Sequence, residues 1–357
     1  MYQTKKGVCM ITKNIGLALG GGAARGWAHI GVMEALQECK VQASCVAGTS
    51  IGALVGSVYA AGGINEFKQS VLNLDRKKVL SMLDVVFPKC GLLDGKKVTD
   101  FFESFIAGKS FADLQIPFGT MATDLQTSEE IWLLSGNVVK AVRASIAVPG
   151  LFTPVMINDR LMVDGGLVNP LPVNMVREMG AELVIAVDLN HYAAMRSSVV
   201  GKKTECAIKE GQLEDDAGQT DSLDTEKKES AESQGKNSFF PGIMEHLDRM
   251  ELSWFDSFKN WRNKPAGPNI FDIIFASTLV MEKTITNLRL HDEPADILVR
   301  PELGEIRFMD FHRADESIRE GFDACLAALI SSEEAMDSLE ITKKEAQRLK
   351  GLISFQG

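Results

Sequence analysis

The chain has 357 residues, 45% hydrophobic and 24% charged, which is enough apolar material for one large core or two modest ones. Its net charge of −10 disfavours nucleic acid as a partner, and disfavours anionic membranes if charge alone drives binding. Six cysteines and five histidines are scattered without metal-ligand spacing, so we expect free thiols, a cytoplasmic location and no metal.

Short β-branched runs alternate with helical stretches from residue 14 to about residue 192. The predicted strands are Ile15 to Leu19, Val41 to Ala47, Phe118 to Thr123, Glu130 to Leu134, Leu161 to Val163 and Leu183 to Val187. Helices are predicted at Trp27 to Lys40 and Ile51 to Ala61. Strands separated by helices predict an α/β fold with a mainly parallel sheet covered on both faces. No transmembrane helix is predicted.

Beyond residue 195 the composition changes. Residues from about 196 to 238 have almost no aromatic or large aliphatic side chains, so we expect a disordered insertion there. An apolar stripe then predicts an amphipathic helix at about 240–263, formed by Ile243, Leu247, Met250, Trp254, Phe258 and Trp261. It either docks on a membrane surface, covers the functional site as a lid, or packs on the core. Further elements are predicted at Ile270 to Leu290 (helix), Ile297 to Arg300 (strand), Ala314 to Leu329 (helix) and Ser332 to Leu352 (helix).

The strongest local signal is a G-x-S-x-G sequence, Gly48-Thr49-Ser50-Ile51-Gly52, between a predicted strand and a predicted helix. A nucleophile elbow needs that sharp turn to lift the serine oxygen clear of the sheet. Gly48 and Gly52 permit the tight backbone, and the helix that begins after Ser50 directs a positive dipole end at developing oxyanion charge. A structural serine in a buried turn is the alternative.

A glycine-rich loop, Gly20 to Gly26, also lies between a strand and a helix. Such a loop presents backbone N–H groups to a phosphate or an oxyanion. A dinucleotide fingerprint would need glycine where Arg25 stands, and a P-loop would need lysine where Trp27 stands. An oxyanion hole upstream of an elbow is the more economical interpretation.

The third signal is Val163-Asp164-Gly165-Gly166, an acidic residue followed by two glycines just after a short strand. Taken alone, an Asp-Gly turn in a surface hairpin explains it well.

Together and in this order, these motifs resemble the bacterial patatin-like phospholipases related to the neuropathy target esterase catalytic domain. The resemblance covers about residues 14–192 and resumes at about 270–330. The matching segments are 17–26, 28–32, 47–53, 122–125, 144–150 and 163–169.

The resemblance implies a three-layer α/β/α sandwich and hydrolysis of lipid acyl esters, of phospholipase A or lysophospholipase type, without a cofactor. It implies Ser50 as the nucleophile and Asp164 as its base, in a dyad supported by Gly165 and Gly166 in the turn after Asp164. The expected oxyanion-hole residues are Gly20, Gly21, Gly22, Ala23 and Arg25. Many relatives have glycine where Ala23 stands, which matters only if that position needs a positive φ.

Two rival functions stay open at this point. An α/β-hydrolase triad could use Ser50, Asp164 and either His291 or His312, and a non-catalytic lipid-binding protein could retain the fold. We expect an N-terminal tail at 1–13, a hydrolase domain at 14–330 and a C-terminal helical extension at 331–357. The expected partner is a lipid ester, in the cytoplasm or at the inner face of the membrane, without nucleic acid or metal.

Overall fold

The structure is a computed structural model that describes residues 13–84, 91–106, 108–192 and 270–353. The predicted insertion at 196–238, the predicted amphipathic helix at 240–263 and nearly all of the N-terminal tail therefore lie outside the described residues.

Aliphatic runs without polar alternation form the central strands, and β1, β2 and β7 are almost entirely buried. Such runs are typical of strands covered on both faces. The strands are β1 (Ile15–Leu19), β2 (Cys45–Thr49), β3 (Phe118–Asp124), β4 (Glu130–Leu133), β5 (Val155–Ile157), β6 (Arg160–Asp164), β7 (Leu183–Val187) and β8 (Ile297–Val299). They make one eight-stranded sheet in the order β5-β6-β3-β2-β1-β7-β8, with β4 also paired to β3.

Parallel pairing joins five strands, from β3 through β2, β1 and β7 to the edge strand β8. Antiparallel pairing adds β4 and β6 to β3, and β5 to β6. The carboxyl ends of parallel strands meet at one edge, where α/β proteins place their sites. β6 runs antiparallel to β3, and Asp164 at the end of β6 lies opposite Ala122 of β3. Asp164 therefore belongs to an antiparallel strand and does not follow a parallel one.

The helices cover both faces of the sheet. They are α1 (Ala28–Glu38), α2 (Ile51–Ala61), α3 (Ile64–Leu72), α4 (Arg76–Ser81), α5 (Lys96–Ile106), α6 (Val138–Ser145), α7 (Val173–Glu178), α8 (Ile270–Asp292), α9 (Ala314–Leu329), α10 (Glu333–Ser338) and α11 (Lys343–Lys350). Leu17 and Leu19 of β1 join the larger apolar cluster, while Ala18 between them joins a second cluster on the opposite face. The predicted three-layer α/β/α sandwich is confirmed.

The C-terminal elements belong to the same core. An added Cβ at Gly31 of α1 would overlap the carbonyl oxygen of Ile318 in α9, and one at Gly321 would overlap that of Ala28. The backbones of α1 and α9 therefore touch. Further on, Ile341 and Leu349 are buried in the larger apolar cluster, so the described part of the predicted extension packs on the sheet's covering helices.

No helix among the described residues is long and apolar enough to cross a lipid bilayer.

Candidate active site

Ser50 lies at the sharp turn that joins β2 to α2. Its backbone has φ 55° and ψ −123°, a positive φ that a non-glycine residue rarely adopts. An added Cβ would overlap the backbone of Gly52 if placed at Gly48, and the backbone of Leu19 if placed at Gly52. Both positions must be glycine for the strand, the turn and the helix to approach this closely. The local geometry is that of a nucleophile elbow.

The Ser50 hydroxyl points at a carboxylate. Its Oγ donates a hydrogen bond to Asp164 Oδ2 across 2.6 Å, and the exposed fractions of the two residues are 8% and 3%. The two residues lie 114 positions apart, at the ends of β2 and β6, which both pair with β3. The sheet therefore brings together the two residues that the motifs singled out.

Neighbouring backbone groups fix the Asp164 carboxylate. Oδ1 accepts a hydrogen bond from the Gly166 N–H at 2.7 Å, within the 3-10 turn Gly165–Leu167. Thr123 Oγ1 donates to the Asp164 carbonyl at 2.8 Å, and the Asp164 N–H donates to the Ala147 carbonyl at 3.0 Å. One carboxylate oxygen is thus committed to the turn and the other faces Ser50.

Burial also changes the basicity of Asp164. Desolvation raises its pKa to about 6, against the lowering effect of the hydrogen bonds from Ser50 and Gly166. A carboxylate with this pKa is a stronger base than an exposed aspartate, whose reference pKa is about 3.9. It is still ionised at neutral pH, so it can accept a proton from a hydroxyl.

Ser145 supports the strained backbone of Ser50 through a hydrogen bond. Its Oγ accepts the Ser50 N–H at 2.9 Å, and Ser145 itself is fully buried at the end of α6. On the other side, Thr49 Oγ1 donates to the Asn169 carbonyl at 2.8 Å, which ties the elbow to the loop that follows Asp164. These contacts stabilise the positive φ of Ser50.

The glycine loop approaches Ser50 closely enough to line the same site. A Cβ added to Gly21 would lie 3.4 Å from Ser50 Cβ. Three of the predicted oxyanion donors are already engaged, however. The N–H groups of Gly20, Gly21 and Arg25 donate to the carbonyls of Val187, Pro170 and Gly22, respectively. In this structure these three N–H groups already have backbone acceptors, and their role as oxyanion donors stays a prediction.

The N–H groups of Gly22 and Ala23 have no acceptor among the described residues. Ala23 has φ 51°, so this position does adopt the left-handed conformation that glycine favours. Alanine retains its N–H there, at a steric cost of about 1 to 2 kcal/mol. Gly22 and Ala23 are thus the two predicted oxyanion-hole residues whose N–H groups have no acceptor in the described part of the chain.

A histidine supports the loop without touching the dyad. His29 is buried, and its Nε2 lies 2.8 Å from the Gly20 carbonyl oxygen, to which it donates. Burial lowers the pKa of His29 to about 4, so the ring is neutral at physiological pH. This contact fixes the start of the glycine loop.

The two histidines of the rival triad lie elsewhere. His312 Nε2 accepts a hydrogen bond from Arg76 Nε at 3.1 Å, and His291 is exposed at the end of α8. Within the described ranges, no histidine hydrogen-bonds Ser50 or Asp164. This part of the chain likewise holds no cluster of three or more metal-ligating side chains.

Sequence reasoning did not assign three polar residues near the site. Ser145 and Asn169 both fall in segments quoted for the family resemblance, so those motifs carried a signal for them. Glu282 of α8 lies in no motif, yet its carboxyl group lies beside the Asp164 turn. Only the packing of α8 reveals it.

Comparison with known proteins agrees with this geometry. Residues 17–177 match the sequence profile described as patatin-like phospholipase. An uncharacterised NTE family protein of Mycobacterium tuberculosis is 30% identical over 324 residues, covering 86% of this chain and 89% of that protein.

Much longer animal proteins match about half of this chain. Neuropathy target esterase sws of Drosophila melanogaster is 34% identical over 182 residues, 49% of this chain and 13% of that protein. Patatin-like phospholipase domain-containing protein 7 of Mus musculus is 32% identical over 191 residues, 50% of this chain and 14% of that protein. The chain therefore belongs to the NTE family of patatin-like phospholipases.

Proposed function

We propose that this lipid ester hydrolase works through a Ser-Asp dyad, with Ser50 as nucleophile and Asp164 as base. The observation that carries the proposal is the 2.6 Å hydrogen bond from Ser50 Oγ to Asp164 Oδ2 inside a buried elbow. A hydroxyl held against a carboxylate on a strained turn is the arrangement that activated serine nucleophiles require.

Acyl transfer then proceeds in two steps. Asp164 accepts the Ser50 proton while Oγ bonds to the ester carbonyl carbon, and the leaving alcohol departs with that proton as the acyl-enzyme forms. Water next attacks the acyl carbon and gives a proton to Asp164, and this proton returns to Ser50 Oγ as the carboxylic acid leaves. The same carboxylate serves both steps.

The Gly22 and Ala23 N–H groups are the proposed donors to the oxyanion. They belong to the loop that approaches Ser50, and the first turn of α2 adds the positive end of its dipole. Each oxyanion donor is typically worth about 3 to 4 kcal/mol of transition-state stabilisation. Most of the rate enhancement is therefore assigned to these donors, because the aspartate remains a weak base for a hydroxyl.

The proposed substrates are phospholipids or lysophospholipids, in keeping with the family. The sequence prediction adds a membrane-surface location at the cytoplasmic face, carried by the segment 243–261, which lies outside the described residues. That location stays a prediction, tested by vesicle binding after deletion of residues 240–263.

The first experiment measures hydrolysis of a short-chain p-nitrophenyl ester and of a lysophospholipid by the wild type, Ser50→Ala and Asp164→Asn. We expect both variants to lose activity by about 10⁴-fold or more, because each removes one half of the dyad. Ser57→Ala is the matched control, since Ser57 is a fully buried serine of α2 whose hydroxyl donates only to the Leu54 carbonyl.

Each alternative has its own outcome in the same assay. Full activity in Ser50→Ala would mean that the elbow is structural. Loss of activity in the double variant with His291→Ala and His312→Ala, with its fold intact, would favour the triad. A wild type that binds both lipids without cleaving them would indicate a binding protein.

A further inference from the structure

Glu282 lies in the middle of α8 and reaches into the site from outside the matched family segment, 17–177. Its Oε2 accepts a hydrogen bond from Asn190 Nδ2 at 2.8 Å. Asn190 is itself buried just beyond β7, and its Oδ1 accepts a hydrogen bond from Arg25 Nη2 at 3.1 Å. A chain of polar contacts thus runs from α8 to the glycine loop.

This chain bears directly on the proposed oxyanion donors. A Cβ added to Gly22 would lie 3.4 Å from Asn190 Oδ1, so Asn190 packs against one of the two proposed oxyanion donors. Arg25 is buried and donates through Nη1 to the Ile306 carbonyl at 3.3 Å, which fixes the far side of the loop. Removing the carboxyl group of Glu282 would leave the Asn190 amide free to turn.

The other carboxylate oxygen of Glu282 faces the Asp164 turn. A Cβ added to Gly166 would lie 2.7 Å from Glu282 Oε1 and 3.1 Å from Asp164 Oδ1. Because both oxygens lie about 3 Å from one point, they are no more than about 6 Å apart. Only glycine at position 166 leaves room for this approach.

Two carboxyl groups this close in a buried site do not both ionise at the same pH. Burial raises the pKa of Glu282 to about 7, with the charge of Asp164 acting in the same direction and Arg25 and Asn190 opposing it. The charged groups that face Glu282 are Asp164 from β6 and Arg25 from the glycine loop. Lys283 on the same helix is turned away and donates to the His191 carbonyl.

We propose that Glu282 is a positioning residue for the ester hydrolysis proposed above: it holds the glycine loop through Asn190 and Arg25, and it shares a single negative charge with Asp164. With Asp164 ionised and Glu282 protonated, the site carries one negative charge and can form an oxyanion. Once Glu282 also ionises, a second negative charge lies near the developing oxyanion and opposes it. The inference rests on the proposed function of the dyad.

The test is the pH dependence of kcat/KM for an uncharged p-nitrophenyl ester, compared between the wild type and Glu282→Gln. Glutamine retains an acceptor for Asn190 but cannot ionise. We expect the wild type to rise with pH as Asp164 ionises and to fall again above neutrality as Glu282 ionises. In Glu282→Gln we expect the decrease of kcat/KM above neutral pH to disappear. Its kcat/KM then exceeds the wild-type value by about tenfold at pH 8.5 and equals it near pH 6.

A second variant separates the hydrogen bond from the charge. Glu282→Ala lacks the acceptor as well as the charge, so we expect its kcat to lie about tenfold below that of Glu282→Gln at every pH, with KM nearly unchanged. Glu293→Gln is the matched control, since Glu293 is an exposed acid at the end of the same helix region. It should retain both limbs of the wild-type profile.

The outcomes distinguish this inference from the dyad. An unchanged upper limb in Glu282→Gln, in an enzyme that Ser50→Ala inactivates, would overturn the role of Glu282 and leave the dyad intact. A kcat in Glu282→Ala equal to that of Glu282→Gln would likewise overturn its positioning role. Activity that survives Ser50→Ala would instead overturn the dyad itself, whatever Glu282→Gln does.

Discussion

Asp164 illustrates how a single buried carboxylate affects stability. Its pKa is raised to about 6 in the folded protein, above its unfolded value of about 3.9. Below pH 4 both states are protonated, and above pH 6 the folded state must hold a buried charge that the unfolded state holds in water. The destabilising contribution is therefore absent at low pH and fully present above pH 6.

We expect Asp164→Asn to raise the melting temperature at pH 8, with a gain that shrinks as the pH falls towards 4. Asparagine retains an acceptor for the Gly166 N–H and a donor for Ser50, so the polar contacts survive while the charge is removed. Thermal unfolding followed by circular dichroism at both pH values measures the difference. A gain of equal size at pH 8 and pH 4 would contradict the argument.

Asp113 is a control whose pKa shift, and therefore its effect on stability, has the opposite sign. Its pKa is lowered by hydrogen bonds from the Ser110 hydroxyl and N–H, so its ionised form stabilises the fold. Asp113→Asn should therefore lower the melting temperature at pH 8, and this loss should vanish as the pH falls through the lowered pKa of Asp113.

The sequence singled out Ser50 and Asp164, which the structure places in contact, because each lies in a short motif whose residues are adjacent in the chain. The roles of Ser145 and Glu282 could not be predicted in the same way. Ser145 reaches Ser50 across 95 positions, and Glu282 reaches Asn190 across 92. Such contacts arise from how α6 and α8 pack, which no local spacing encodes.

Helix α8 contacts both the candidate site and the loop that follows Asp164. Seven residues beyond Glu282, Arg289 donates through Nε to the Val168 carbonyl at 2.9 Å and pairs with Glu130 of β4. Two helical turns separate the two side chains, so both lie on the face that packs against the sheet. Arg289 therefore anchors the helix that carries Glu282.

We expect Arg289→Met to lower the free energy of unfolding by about 1 to 2 kcal/mol, because it leaves the half-buried Glu130 without its cationic partner. It should also lower kcat/KM, since α8 is held less firmly against the Asp164 loop. Urea unfolding and ester hydrolysis measure the two effects.

Arg319→Met, which removes an exposed ion pair with Asp315 on α9, should change stability by less than about 0.5 kcal/mol. Equal effects of the two substitutions would refute this role of Arg289.

Patterns in the sequence predicted the long, regular elements well. The bounds of β1, α2, β7 and α9 agree with the prediction, because their apolar runs begin and end abruptly. β2 instead begins at Cys45 rather than Val41, since its register with β1 starts there, opposite Gly16. Tertiary pairing, not propensity, sets that boundary.

One helix predicted from the sequence is two separate helices in the structure. The segment from Ser332 to Leu352 divides into α10 and α11, because Glu340 has φ 58° and Thr342 caps a new helix through a capping box with Glu345. The helices between residues 64 and 106 were not predicted. α3 and α4 are short, with nine and six residues, whereas α5 carries Phe102 and Ile106 at helical spacing, a signal that the prediction did not use.

The molecule as a whole depends on its last quarter. β8 completes the parallel sheet beside β7, and α9 covers α1. Trp27 Nε1 donates to the Phe311 carbonyl at 3.0 Å, and Ser317 Oγ donates to the Arg25 carbonyl at 3.0 Å. Residues 270–353 are thus part of the core and of the site, although the matched family segment ends at residue 177.

We expect a fragment of residues 1–198 to be insoluble when it is expressed alone, because the edge of β7 and the apolar face of α1 are then uncovered. Co-expression with residues 266–357 should yield a soluble complex with ester hydrolase activity, since the interface between the two pieces is a domain core. Co-purification through a tag on the shorter fragment measures assembly. A soluble, active 1–198 fragment would show that the last quarter is dispensable.

The pairing of β7 with β8 also has a consequence for synthesis on the ribosome. Val187 and its partner Val299 are separated by more than a hundred residues. At roughly 5 to 20 residues per second, the nascent chain carries an unpaired β7 edge for about 5 to 20 seconds before β8 is made. During that interval the growing polypeptide needs protection by chaperones, and the speed at which codons 193–296 are translated sets how long this need lasts.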